Sequence, residues 1–232
     1  MSLFAIADVH LSLGADKPMD IFPGWDDYVA RLEQNWRSLV TDDDTVVIAG
    51  DISWAMKLPE TKPDFAFLHS LPGKKLILKG NHDLWWTTLR KMEEFIRIEN
   101  FDSIGFVHNN AFLADGLAVC GTRGWFFDDV GADRKVIARE AGRLARSIEE
   151  GIKIGAEPVV FLHYPPVYAG QRCDEIMEVL HRYHIQRCYY GHIHGAGRVG
   201  AAVGPVEGIE MRLIACDALR FCPIRVENCP DR

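Results

Sequence analysis

Five short apolar runs in this chain each lead into a residue able to ligate a metal ion, and no other feature constrains the fold as tightly. Leu3–Ala7 leads into Asp8-Val9-His10, and Thr45–Ala49 into Gly50-Asp51. Lys75–Leu78 leads to Gly80-Asn81-His82-Asp83, Val159–Leu162 to His163, and Cys188–Tyr190 to Gly191-His192-Ile193-His194. Short runs of Val, Ile, Leu, Phe and Tyr mark strands buried on both faces. In open α/β sheets ligands bind outside the carboxyl ends of the strands. Five parallel strands would therefore bring all these side chains to one edge. One polar residue after a strand is ordinary, but five arrivals of His, Asp and Asn are hard to assign to chance.

The spacing and the donor types carry further meaning. Residues i and i+2 of an extended segment face the same way, so Asp8 and His10 are placed to grip one ion together. By the same rule His192 and His194 would share an ion. Glycines before Asp51, Asn81 and His192 let the backbone turn sharply and approach closely. Carboxylate, imidazole and amide oxygen together suit Mn, Fe or Zn better than a soft thiolate site would.

Between the runs lie stripes of helical period. Trp25, Tyr28, Val29, Leu32, Trp36 and Leu39 form one, and Trp85, Leu89, Met92 and Ile96 another. Ile137, Ala141, Leu144, Ile148 and Ile152 form a third; Ile176, Val179, Leu180 and Tyr183 form a shorter fourth. Residues 104–122 read instead as short strands separated by Asn109-Asn110 and Asp115-Gly116 turns, with further strands at Glu210–Ala215 and Pro223–Val226. The pattern predicts a mixed sheet, or two sheets, covered by helices. A length of 232 residues with 48% hydrophobic content suits a single domain over residues 1–232.

Charge and cysteines narrow the function classes. The net charge of −7 argues against broad coating of DNA or RNA. It leaves room for a nucleotide substrate, because a local metal charge outweighs a distant negative surface. No apolar stretch approaches the ~20 residues of a membrane span, and a secretory leader is hard to place ahead of Asp8. A cytoplasmic protein is the simplest expectation. The six cysteines form no C-x-x-C pair and are expected to be buried, reduced thiols.

Taken together, Asp8-x-His10, Gly50-Asp51, Gly80-Asn81-His82-Asp83, His163 and Gly191-His192-x-His194 resemble the five ordered motifs of the calcineurin-like metallophosphoesterases. Each is weak alone; the full set, spanning residues 8 to 194, is highly specific. The resemblance implies a four-layer αββα sandwich, in which two facing mixed sheets are flanked by helices and the site lies at one edge. It implies two divalent ions per chain, Mn, Fe or Zn. Asp8, His10, Asp51 and His194 would hold one ion and Asp51, Asn81, His163 and His192 the other, with Asp51 bridging. That split of His192 from His194 comes from the family and not from strand periodicity. The resemblance also implies attack by water or hydroxide activated on the metals, with His82 binding a phosphoryl oxygen or acting as general acid. Asp83 is a candidate for orienting His82.

The bland alternatives are few. Asn81 and Asp83 fit turn or cap positions before a helix starting near Trp85, and His163 fits a buried loop. His69, His108, His181 and His184 match no motif. Trp54, Trp85, Trp86, Trp125, Phe126 and Phe127 suit core packing, with some able to wall a substrate pocket. Arg123 is either a phosphate clamp or a surface residue. Asp51 is followed by Ile52-Ser53-Trp54-Ala55, and not by the longer acidic signature of phosphoprotein phosphatases, which makes a protein substrate less favoured. A small phosphomono- or phosphodiester is expected, a nucleotide among the candidates. The competing classes are a nuclease, which lacks a basic stripe here, and an inactive scaffold of the same fold, in which several ligands would be missing. A Rossmann dehydrogenase lacks its glycine loop.

Overall fold

The structure, a computed structural model, describes residues 1–125 and 134–227. Phe126, Phe127 and Cys229 lie outside the described residues. Strands β1 (Leu3–Ile6), β2 (Thr45–Ile48), β3 (Lys74–Ile77) and β4 (Ile104–Phe106) run parallel as neighbours in one sheet. The sheet is completed by β13 (Ile224–Arg225), antiparallel to β1. The second sheet has the order β11-β12-β10-β7-β6-β5. Its central strands β6 (Leu117–Thr122), β7 (Glu157–Leu162), β10 (Arg187–Tyr190) and β12 (Ile209–Leu213) are parallel. Its edges, β5 (Phe112–Ala114) and β11 (Gly204–Val206), are antiparallel. A small hairpin, β8 (Val167–Tyr168) and β9 (Gln171–Arg172), stands apart.

Both faces of each sheet are buried, which is why the strands read as unbroken apolar runs. Leu3, Ala5 and Ala7 point between the sheets, where they meet Val47, Leu76, Val119, Val159 and Phe161. Phe4, Ile6, Val46 and Ile48 point outward against α1 (Tyr28–Leu39), α2 (Lys62–Ser70) and α3 (Leu89–Ile98) through Leu32, Trp36, Phe65 and Met92. On the far side, Val160 and Leu162 meet Leu144 and Ile148 of α4 (Arg134–Ile154) and Leu180 of α5 (Asp174–Arg182). The result is the αββα sandwich.

The five ligand-bearing strands are divided between the two sheets: β1, β2 and β3 lie in the first, β7 and β10 in the second. One expectation is corrected. The helix expected near Trp85 begins at Leu89, because the Trp85 indole is tied back to Asp83 and packed edge-on against Phe65. The sheets are joined at the site edge. Beyond β1, Ala7 N–H donates to Ile214 O at 2.8 Å and Cys216 N–H to Ala7 O at 2.9 Å. Cys120, Cys173, Cys188 and Cys216 are buried free thiols. No helix among the described residues is long and apolar enough to cross a membrane.

A lysine occupies one core position. Lys75 is fully buried, and its Nζ donates to Leu71 O at 2.7 Å and Gly73 O at 2.6 Å. Burial pushes its ammonium down to about 8. Lys75→Met is expected to strip both carbonyls of their donor and lower stability by about 1–3 kcal/mol. A urea midpoint equal to that of the parent would contradict this account.

Candidate metal centre

The ligand candidates converge where the two sheets meet. Asp8, His10 and His194 form one group, and Asp51, His163 and His192 a second, with donor atoms in each within 4.8 Å of one another. Asp51 stands between the groups: its Oδ2 is 3.7 Å from His10 Nε2 and 3.6 Å from His163 Nε2. Asp8 Oδ1 is 3.5 Å from His194 Nε2 and 3.6 Å from His163 Nδ1. Asn81 Oδ1 lies 2.6 Å from His163 Nε2. Most of these separations are too long for hydrogen bonds. They match the roughly 3–4.4 Å between two ligands that each lie about 2.0–2.2 Å from one ion.

The backbone is bent to make this possible. Asp8, His10, Asp51 and His192 all have positive φ, between 43° and 70°. Strained positions of this kind cluster at functional sites. They also explain why strand alternation fails here: His194 falls beside Asp8 and His10, while His192 joins Asp51 and His163. Close approach here requires glycine, as Gly80 and Gly50 illustrate. A Cβ on Gly80 would sit 2.1 Å from Asp51 Oδ1. One on Gly50, at φ +90°, would sit 2.6 Å from His163 Nδ1.

Electrostatics favour added positive charge. Burial, then repulsion from Asp83 and Asp8, pushes the Asp51 carboxyl well above the carboxylate range. Burial lowers His10 to about 3, against the pull of Asp8, and drives His163 down as well. Burial thus favours the neutral form of His10 and His163, the form a metal ligand needs. His194 is the exception: burial lowers it, but Asp8 and Asp217 lift it to about 10. Its Nε2 is buried without a hydrogen bond, which is where an ion would replace a proton.

Asp83 does not orient His82. It is fully buried, and its carboxylate accepts the backbone N–H groups of Asp51, Ile52, Ser53 and Gly80 and the Trp85 indole N–H, at 2.7–3.3 Å. It therefore ties the Gly50-Asp51 loop to the Gly80–Asp83 loop. His82 is fixed through its backbone, which donates to Asp51 Oδ1 at 2.8 Å. Its ring packs 4.5 Å from that of Trp54, and Nε2 lies 4.0 Å from Asp51 Oδ2.

Asp217, passed over in the sequence, pairs with His194 Nδ1 at 2.9 Å and accepts the Gly195 N–H. A carboxylate in this place fixes which imidazole nitrogen faces a metal. A signal was available: Ile214-Ala215-Cys216-Asp217 is a sixth apolar run ending on an acid, just beyond β12. His163 Nδ1 is similarly placed, 3.2 Å from Ala49 O.

The centre opens into a cavity of about 650 Å³ walled by His10, Met19, Trp25, Trp54, His82 and His194. Trp54 stacks on His10 at 5.1 Å, so this tryptophan walls the cleft while Trp85 belongs to the core. Among the unmatched histidines, His69 bonds Ser103 and His181 bonds Glu207, both away from the centre.

The sequence profile of the calcineurin-like phosphoesterases matches residues 1–196. This chain is a calcineurin-like phosphoesterase. Solved structures of the same fold include a protein of unknown function, AQ665, from Aquifex aeolicus, at 16% identity and a TM-score of 0.53, covering 97% of this chain and 95% of that one. Phosphopantetheinyl hydrolase (PptH) from Mycobacterium tuberculosis matches at 16% identity and 0.52, covering 99% and 96%. TT1561 of Thermus thermophilus matches at 12% and 0.55, covering 83% and 81%. No curated protein matches the chain significantly. Family membership and the two ligand groups support a hydrolase that uses divalent metal ions, and this calcineurin-like phosphoesterase carries candidate ligands for two.

Proposed function

We propose that the protein is a dinuclear phosphohydrolase that cleaves a small phosphomonoester or phosphodiester, a nucleotide being one candidate substrate. The observation that carries this reading is the pair of adjacent donor groups, with Asp51 Oδ2 3.7 Å from His10 of one and 3.6 Å from His163 of the other. One ion would be held by Asp8, His10, Asp51 and His194, and the other by Asp51, Asn81, His163 and His192. Divalent ions there would polarise the phosphoryl oxygens, offset transition-state charge and supply hydroxide from water near neutral pH.

The chain's own groups supply the rest. Asp217 holds His194 Nδ1, so Nε2 faces the centre. The Trp54 ring and the His82 backbone bond keep the His82 imidazole at the mouth, where Nε2 protonates the leaving oxygen or donates a hydrogen bond to the phosphoryl group. The apolar wall of Met19, Trp25 and Trp54 suits a leaving group with a flat or apolar body.

Protein loaded with Mn, Fe or Zn is expected to hydrolyse bis-p-nitrophenyl phosphate or p-nitrophenyl phosphate, to carry two ions per chain by elemental analysis, and to lose turnover to a chelator. Two bound ions with no activity on these esters or on nucleotides would favour the scaffold. His82→Ala should keep both ions and lose roughly 10²–10⁴ in kcat, the usual contribution of a proton-transfer group. Undiminished turnover in that variant would remove His82 from the reaction.

A further inference from the structure

A second cavity, of about 410 Å³, lies beside the metal centre and has the opposite chemistry from the apolar cleft. Lys79, Arg123 and Arg143 line it, with His108, Thr87 and Thr88. One carboxylate among the lining residues faces these cations: Glu140, which is 1% exposed. Its oxygens are already engaged, by Arg143 Nη1 at 2.6 Å and by the Thr122 hydroxyl at 2.7 Å, with Arg123 Nη2 at 3.8 Å. Among the described lining residues, three cationic side chains against one acid leave an excess positive charge, in a chain whose net charge is −7. Two lining residues also carry buried N–H donors that have no acceptor among the described residues, Trp86 Nε1 and Arg123 Nε. Each such donor costs about 1–3 kcal/mol when left unmade. Surplus cationic groups lining one cavity call for an acceptor-rich anion.

The position ties this cavity to the centre. Lys79 precedes Asn81 by two residues. Arg123 O accepts the Tyr164 N–H at 2.9 Å. The Tyr164 ring neighbours both sites: its centroid is 6.0 Å from the Arg123 guanidinium and 4.5 Å from the His192 ring. One aromatic ring thus links the cavity's Arg123 to the group formed by Asp51, His163 and His192.

We propose that this basic cavity is a second anion subsite, which holds a phosphate or similarly compact acidic group of the substrate other than the one being cleaved. The proposal rests on the phosphohydrolase reading of the centre. Guanidinium forks and an ammonium at one place are the usual way to bind a phosphate. The substrate class becomes a phosphoester with two separated anionic groups.

Two measurements test it on the full-length chain. An alkanediol bisphosphate and the alkyl monophosphate of the same length are compared on metal-loaded protein. The bisphosphate is expected to have a kcat/KM about tenfold or more higher, the effect of one charge-assisted hydrogen bond. Lys79→Met and Arg123→Met are each expected to bring that ratio to within about threefold of unity. Lys79→Met leaves Thr122, Arg143 and Arg123 around Glu140, so it separates loss of the subsite from misfolding. Sulfate titration followed by tryptophan emission, with Trp86 as reporter, should saturate and weaken about tenfold in the same variants. Equal kcat/KM for the two esters, or sulfate binding indifferent to Lys79, overturns the subsite and leaves the phosphohydrolase standing. Failure to cleave any phosphoester overturns the phosphohydrolase, and the sulfate titration still decides the anion site.

Discussion

Asp51→Ala is expected to lose both metal ions together and to reduce phosphoester turnover by roughly 10³-fold or more, equivalent to about 4 kcal/mol of transition-state stabilisation. Asp51 is the ligand proposed for both ions, and its Oδ2 lies 3.7 Å from His10 Nε2 of one donor group and 3.6 Å from His163 Nε2 of the other. The same carboxylate anchors His82 through its backbone N–H, so alanine also frees the group at the cleft mouth. Asp51→Asn separates the two effects. It keeps an oxygen for the His82 N–H and removes the negative charge that would bridge two cations. Elemental analysis and turnover of both variants decide the matter: two tightly held ions in Asp51→Ala would falsify the bridge.

Asp83→Ala is expected to cost at least about 4 kcal/mol of folding stability. Five buried N–H groups converge on the Asp83 carboxylate, four of them from the backbone. Deleting it leaves several donors unsatisfied at about 1–3 kcal/mol each, partly relieved by relaxation and entering water. Asparagine is no rescue, because its amide brings one acceptor oxygen and two further N–H donors to a place already crowded with donors. Burial pushes the Asp83 carboxyl up to about 6, and the five donors pull against that rise. An unfolding free energy within about 0.5 kcal/mol of the parent in Asp83→Ala, the range of an ordinary surface substitution, would show that the loops hold without it.

What the sequence reveals is set by burial. Strands covered on both faces leave long apolar runs, so β1, β2, β7 and β10 and the residues at their ends are visible without coordinates. Such a run does not record which sheet it joins, and the division of ligands between two sheets is therefore invisible. The α2 segment is also hidden, because it buries Asp64 and Thr61 beside it along with Phe65 and Leu68, which blurs its stripe. Asp64 accepts the Leu13 N–H and the Ser53 hydroxyl, a polar use of a core position that periodicity cannot anticipate. Asp83 and Asp217 are harder still. Their partners are backbone amides and a histidine brought near by folding, contacts that leave no fixed spacing in the chain.

The join between the sheets at Ala7 and Ala215 has a consequence for the chemistry. Asp8, His10, Asp51 and Asn81 are carried by one sheet, and His163, His192 and His194 by the other. Their mutual distances are therefore fixed by the thickness of the hydrophobic layer separating the sheets, where Leu76, Val119 and Phe161 interdigitate. Close-packed interiors transmit a change of a single methylene. The layer acts as a spacer gauge: exchanging side chains well away from any ligand would retune the separation of the ligand groups, while the Ala7–Ala215 bridge holds the two sheets together at the site edge.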